Sequence, residues 1–218
     1  MSIASRIAFL KEKLPRNVTL VAVSKLHSTA DIIEAYNAGQ RIFGESRSQE
    51  MTSKHKILPP DLKWHFIGPL QSNKVRDIAS FVSMIHSVDS LRLLREINKQ
   101  AAKHARIINV LLEIHIAKEE NKHGFTPSEC LNIPWEEEVN LLQNIRICGL
   151  MGIATLTTEK DVIAQEFSAL RNLWHKLKSE RFNNNSFFTE ISMGMTNDYE
   201  IAIAEGCTMV RIGSFIFS

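Results

Sequence analysis

Short apolar β-type runs alternate with amphipathic helical stretches almost from one end of this chain to the other. That alternation restricts the fold more than any other feature. Runs rich in branched and aromatic residues predict strands at 19–24, 41–44, 64–67, 82–87, 107–116, 146–153, 188–192 and 208–212. Helical patterns fall between them, near 29–38, 46–56, 71–79, 90–105, 127–142, 159–181 and 196–205. Parallel neighbours need a crossover, so this order builds a parallel sheet covered by helices. The strands read as apolar runs more than as strict alternations, as expected where both faces are buried. Such a set closes into a (β/α)₈ barrel, and 218 residues lies at the small end for that fold. An open doubly wound sheet would carry a Gly-rich loop after its first strand, and Ser24-Lys25-Leu26-His27 has no glycine. The expectation is an α/β protein: one (β/α)₈ TIM-barrel domain over 1–218.

Punctuation supports these boundaries. Gly39 and Gly206 follow helical segments where a left-handed C-cap suits glycine. Pro59-Pro60-Asp61 and Asn183-Asn184-Asn185-Ser186 break the chain before the third and seventh strands. The net charge of +2 and the absence of a long basic block argue against a nucleic-acid partner, and Lys54-His55-Lys56 reads as a solvated helix end. No apolar stretch is long enough to span a bilayer, and charges interrupt the N-terminal amphipathic pattern where a signal peptide needs an apolar run. Cys130, Cys148 and Cys207 have no metal-type spacing. Their sparse, odd number fits a reducing cytoplasm, with Cys148 and Cys207 read as small core residues. A cytoplasmic monomer is expected.

Chemistry in such a barrel gathers at the C-terminal ends of the strands. The first strand ends at Lys25, at the barrel mouth. A lysine there that is partly withdrawn from water has its ammonium form disfavoured, which frees an amine to attack an aldehyde. Pyridoxal 5′-phosphate (PLP) is held by proteins in this way. A solvated loop lysine is the plain alternative. The seventh and eighth strands end in Ser192-Met193-Gly194-Met195-Thr196 and Val210-Arg211-Ile212-Gly213-Ser214, the loops where barrels commonly bind phosphate. Thr196 or Asn197 serves equally as the N-cap of the following helix. Arg211 stands in an otherwise apolar run, either in a structural ion pair or as a partner for a pyridine nitrogen, whose protonation a guanidinium disfavours.

The segments Ala22-Val-Ser-Lys25, Phe43-Gly-Glu45, Gln49-Glu50, Trp64-His-Phe-Ile-Gly68, Leu70-Gln-Ser-Asn-Lys74, Ser87-Val-Asp-Ser90, Gly149-Leu-Met151, Ser192-Met-Gly-Met195 and Val210-Arg-Ile-Gly213 resemble the YggS/PROSC family of PLP-binding, or PLP homeostasis, proteins. The likeness runs over almost the whole chain in consistent order. It implies a barrel like the N-terminal barrel of alanine racemase (PLP fold type III), without that enzyme's second domain. It further implies that Lys25 carries a Schiff base to PLP, that Arg211 faces the pyridine nitrogen, and that Ser192, Gly213 and Ser214 hold the phosphate, with Gly194 and Thr196 in the same loops. It places His65 near the cofactor; an interior histidine bonded to its neighbours is the other reading.

Two positions depart from the family pattern. Ser46 stands where an asparagine is usual. The fifth strand carries Glu113-Ile-His115 in place of a polar pair ending in asparagine. By the period-two rule these two titratable groups share a face, as a general acid/base pair or a hydrogen-bonded interior pair. Racemisation needs acid/base groups on both faces of a carbon, and Tyr36 and Tyr199 both fall on predicted helices. The sequence therefore points to a PLP carrier acting in PLP homeostasis, with indirect effects on amino-acid and keto-acid metabolism and with PLP-dependent apo-enzymes as further partners. A low-efficiency amino-acid racemase is the alternative.

Overall fold

A computed structural model describes residues 1–118 and 123–218. Eight parallel strands close into a barrel in sequence order, and β1 pairs with β8 to seal it. The strands are β1 Thr19–Val23, β2 Ile42–Glu45, β3 Lys63–Phe66, β4 Met84–Val88, β5 Ile108–Ile114, β6 Ile145–Gly152, β7 Glu190–Met195 and β8 Met209–Ile212. The helices are α1 Ile3–Lys13, α2 Thr29–Asn37, α3 Ser48–His55, α4 Val75–Ile78, α5 Leu91–Lys103, α6 Pro127–Asn132, α7 Trp135–Leu141, α8 Lys160–Glu180, α9 Tyr199–Ala204 and α10 Ser214–Phe217. No described helix is long and apolar enough to cross a membrane.

Local chemistry explains several helix starts. Ser28 and Asp31 form a reciprocal capping box on α2, and Thr126 and Glu129 do the same for α6, whose first residue is Pro127. In α5 the apolar residues Leu93, Leu94, Ile97 and Ala101 recur at helical spacing and are all buried. The helix expected over 127–142 is broken: Pro134 lacks an N–H and ends α6 before α7 begins. The last helix before β8 starts at Tyr199, with Asp198 at its cap, three residues later than the expected start at 196.

The strands divide two cores. One face packs Leu20, Ala22, Phe43, Trp64, Phe66, Val210 and Ile212 against the helices. The opposite face lines the barrel, where Met84, Leu111, Cys148, Met151 and Met209 form a separate apolar cluster. The register of β5 against β6 slips between Val110 and Leu111. Gly149 makes the accompanying bend with φ +151°, and a Cβ there would fall 1.8 Å from the Glu190 carbonyl oxygen. All three thiols are buried, and burial raises them to about 12 for Cys130 and Cys207 and about 11 for Cys148. Cys148 and Cys207 are core residues, as expected, and Cys130 is buried in the same way.

Candidate functional site at the barrel mouth

Period-two alternation puts His65, between Trp64 and Phe66, on the inner face of β3, and Arg211, between Val210 and Ile212, on the inner face of β8. Both are buried, and they are linked through two further side chains. Arg211 Nη1 donates to Ser192 Oγ at 2.6 Å, and Nη2 donates to the Gly152 carbonyl at 3.0 Å. Ser192 Oγ lies 3.0 Å from His86 Nδ1, and His86 Nε2 lies 3.0 Å from His65 Nδ1. The donor inventory fixes the tautomers. A guanidinium only donates, so Ser192 accepts from it and gives its single hydrogen to His86 Nδ1. His86 then carries its proton on Nε2 and donates to His65 Nδ1. Any other assignment leaves a buried hydroxyl hydrogen without an acceptor.

Burial keeps both imidazoles neutral. Desolvation, with the Lys63 charge, pushes His65 down to about 3; desolvation, with His65 and Arg211, holds His86 well below its usual value. Desolvation also lowers Arg211 to about 10, partly opposed by Asp198, Glu113 and Cys207, so it remains charged at neutral pH. Among the described residues no carboxylate lies within ion-pair distance of Arg211. The ion pair read as one alternative for this arginine is therefore not made.

The loops after β7 and β8 meet. Ser214 Oγ donates to Thr196 Oγ1 at 3.1 Å, and Gly213 precedes the short helix α10. Gly194 has φ +88°, and a Cβ on it would strike Ala202 Cβ at 2.5 Å, so glycine is needed for the turn into α9. Asp198 Oδ1 accepts the Met195 N–H and closes the same turn. Ser192 does not join the group expected to hold phosphate. Its hydroxyl is fully buried inside the barrel and engaged by Arg211 and His86.

Lys25 stands at the mouth, immediately after β1, and is exposed. The partial withdrawal from water expected for it is not seen. β1 pairs with β8 so that Val21 lies beside Arg211, which sets Lys25 on the neighbouring strand, further toward the mouth. The backbone around it is anchored by a cluster the sequence reading missed. Lys54, expected on a solvated helix end, is turned inward and buried. Its Nζ donates to Glu45 Oε1 at 2.8 Å, Glu50 Oε1 at 2.7 Å and the Ser24 carbonyl at 2.7 Å. The i,i+4 spacing of Glu50 and Lys54, beside a carboxylate in strand β2, was the available signal.

Glu113 and His115 do not form the expected pair. β5 ends at Ile114, and no hydrogen bond joins the two among the described residues. Desolvation, reinforced by Asp89, raises the Glu113 carboxyl. Tyr36 lies in α2 with its hydroxyl on Asp61, and Tyr199 opens α9. No cluster of described residues has the make-up of a metal site.

Known proteins are similar to this chain in sequence and fold. The family model for the alanine racemase N-terminal domain matches residues 1–218. A pyridoxal phosphate homeostasis protein from Synechocystis is 41% identical over 207 residues, covering 94% of this chain and 92% of its own. PipY of Synechococcus elongatus, solved without PLP, superposes with a TM-score of 0.93 at 39% identity over the whole of both chains. The same protein with PLP bound gives 0.88 at 38% identity, again over the whole of both chains. Alanine racemase of Clostridium difficile aligns over 99% of this chain and 55% of its own, with a TM-score of 0.72 at 14% identity, a likeness of fold alone. This eight-stranded barrel, with a mouth lysine just after β1 and a buried arginine on β8, is matched over residues 1–218 by that model and over most of its length by the homeostasis protein, and so belongs to the alanine racemase N-terminal-domain family, on the branch of the pyridoxal phosphate homeostasis proteins.

Proposed function

We propose that this protein binds pyridoxal 5′-phosphate covalently through Lys25 and regulates its supply, with no robust catalysis of its own. The observation that carries the reading is Arg211. It is a charged guanidinium buried in a barrel, on the strand beside Lys25, with no carboxylate in ion-pair distance among the described residues and with donor contacts to Ser192 and the Gly152 carbonyl. Burying such a charge costs stability unless acceptors meet it. The unpaired part of its fork is suited to an electron-rich nitrogen.

When bound, PLP supplies an aldehyde that condenses with a primary amine, releasing water, and a pyridine ring that withdraws electrons. Lys25 is the amine, and it is free to react because no ion pair holds it among the described residues. Arg211 donates toward the ring nitrogen and disfavours its protonation, which limits the ring's electron withdrawal. Ser214, Thr196 and the backbone at Gly213 and Gly194 hold the phosphate. Ser192, His86 and His65 keep Arg211 oriented from below. PLP condenses with amines throughout a cell, so a protein that sequesters it and passes it to apo-enzymes serves amino-acid and keto-acid metabolism indirectly. The protein acts as a cytoplasmic monomer in this scheme.

The decisive experiment is a visible spectrum of the purified protein mixed with PLP, followed by borohydride and peptide mapping, for the wild type and Lys25→Ala. A reduced pyridoxyl adduct on the Lys25 peptide, lost in the variant, is the expected result. An adduct that persists elsewhere in Lys25→Ala refutes the assignment.

A further inference from the structure

Leu26, the residue after the mouth lysine, has φ +67° and is 75% exposed. A leucine seldom adopts this left-handed conformation, because its Cβ crowds the backbone. Here no burial of the side chain offsets the strain. Such an outlier persists only where its surroundings hold it, and here the holding group is identifiable. Glu50, from α3, accepts the Leu26 N–H at 2.7 Å with the same Oε1 that receives Lys54 Nζ. Lys54 in turn donates to the carbonyl of Ser24, on the other side of Lys25. Ser24 Oγ donates to Glu45 Oε1 at 2.6 Å, and its carbonyl also takes the His27 N–H at 3.1 Å. The peptides on both sides of Lys25 are thus tied to one ionic cluster on the outside of the barrel, while no hydrogen bond or ion pair among the described residues holds the lysine side chain itself. We propose that Glu50 is a positioning residue for Lys25: by holding Leu26 in the left-handed turn it sets the direction in which the Lys25 side chain leaves the strand. The inference rests on the proposed function for its ligand, PLP, but concerns a device within this chain.

Four variants separate the contributions. Glu50→Ala removes the acceptor, and Glu50→Gln keeps an amide oxygen for the Leu26 N–H. Leu26→Pro removes that N–H and forbids positive φ without touching α3. Leu26→Gly keeps the N–H and adopts positive φ freely. Two readouts apply: amide hydrogen exchange of the 24–27 segment without ligand, and titration with PLP followed through the visible band and its pH midpoint. Expected results are about tenfold faster exchange in Glu50→Ala and about tenfold weaker PLP binding, with a shifted band midpoint, in Glu50→Ala and Leu26→Pro. Glu50→Gln and Leu26→Gly should stay near the wild type in every readout. Native affinity and an unchanged band in either Glu50→Ala or Leu26→Pro overturn the proposal. If the wild type fails to take PLP at Lys25, the functional reading fails. The exchange arm then decides the clamp alone: unchanged exchange in Glu50→Ala refutes it.

Discussion

Arg211 Nη1 and Ser192 Oγ are 2.6 Å apart in the barrel interior, and this contact couples a permanent charge to two neutral histidines. The serine accepts from the arginine and donates to His86, so it is the link between the charge and the imidazoles. Ser192→Ala therefore leaves Arg211 Nη1 and His86 Nδ1 each without a partner. The expected cost is about 1–3 kcal/mol of folding stability, together with several-fold weaker PLP binding as the arginine fork loosens. Urea unfolding and a PLP titration of the same preparation check the two effects. Affinity unchanged by the substitution would show that the serine does not orient Arg211.

The histidines give the protein a distinct pH response. His65 is pushed down to about 3 and His86 lies well below its usual value, both chiefly by desolvation, whereas in the unfolded chain each titrates normally. Below about pH 6.5 the unfolded chain binds protons that the native state refuses, so stability falls as pH is lowered. With both sites fully protonated in the unfolded chain, the slope approaches about 2.7 kcal/mol per pH unit. His55, lowered by desolvation and the Arg106 charge, acts in the same direction. Glu45, Glu113 and Asp198 are raised mainly by burial and act oppositely, since the native state keeps their protons at higher pH than the unfolded chain does. The histidine effect should therefore dominate between about pH 5 and 6.5. Urea titrations across that window should show a steep loss of stability, and the His65→Gln/His86→Gln protein should show a much flatter one.

The Lys54 cluster makes a separable prediction. Removing Lys54 leaves Glu45, fully buried and with one oxygen already lacking a partner, to stay charged or take up a proton. Lys54→Met should cost about 3 kcal/mol or more. Glu45→Gln combined with Lys54→Met should recover a good part of that loss, because the stranded charge is gone. A double-mutant cycle measured by chemical denaturation reads the coupling. Additive losses would mean that the two side chains do not depend on one another.

These tests concern residues whose legibility in the sequence differed for physical reasons. Strand and helix order could be read because periodicity is local. The inward direction of His65 and Arg211 follows from the same period of two. Pro134 carried its own signal, a missing N–H, although the apolar pattern ran through it. The partner of a barrel-lining side chain is not locally encoded: His86 and Ser192 meet across 106 residues of chain. For that reason Ser192 reads as a phosphate ligand until closure of the barrel turns its hydroxyl inward. Lys54 misleads in the opposite sense. A lysine that opens the basic run Lys54-His55-Lys56 has the signature of solvent exposure, and the carboxylates of Glu45 on β2 and Glu50 on α3 reverse it.

The absence of a suitably placed tyrosine yields the last prediction. Removing and returning a proton at a substrate carbon from opposite faces needs two groups within hydrogen-bond reach of it. Lys25 can serve one face. Tyr36 is committed to Asp61 at 2.9 Å on the outer surface, and the Tyr199 hydroxyl lies 3.4 Å from Glu200. Neither hydroxyl is directed into the barrel by those contacts. PLP-loaded protein should therefore exchange the α-proton of alanine slowly, through one face only, with deuterium incorporated faster than the optical isomer changes. Tyr36→Phe and Tyr199→Phe should leave that rate unaltered. Nuclear magnetic resonance of alanine in deuterated buffer, with chiral chromatography of the same samples, distinguishes exchange from racemisation. Racemisation keeping pace with exchange, and falling in Tyr199→Phe, would move the protein from carrier to enzyme.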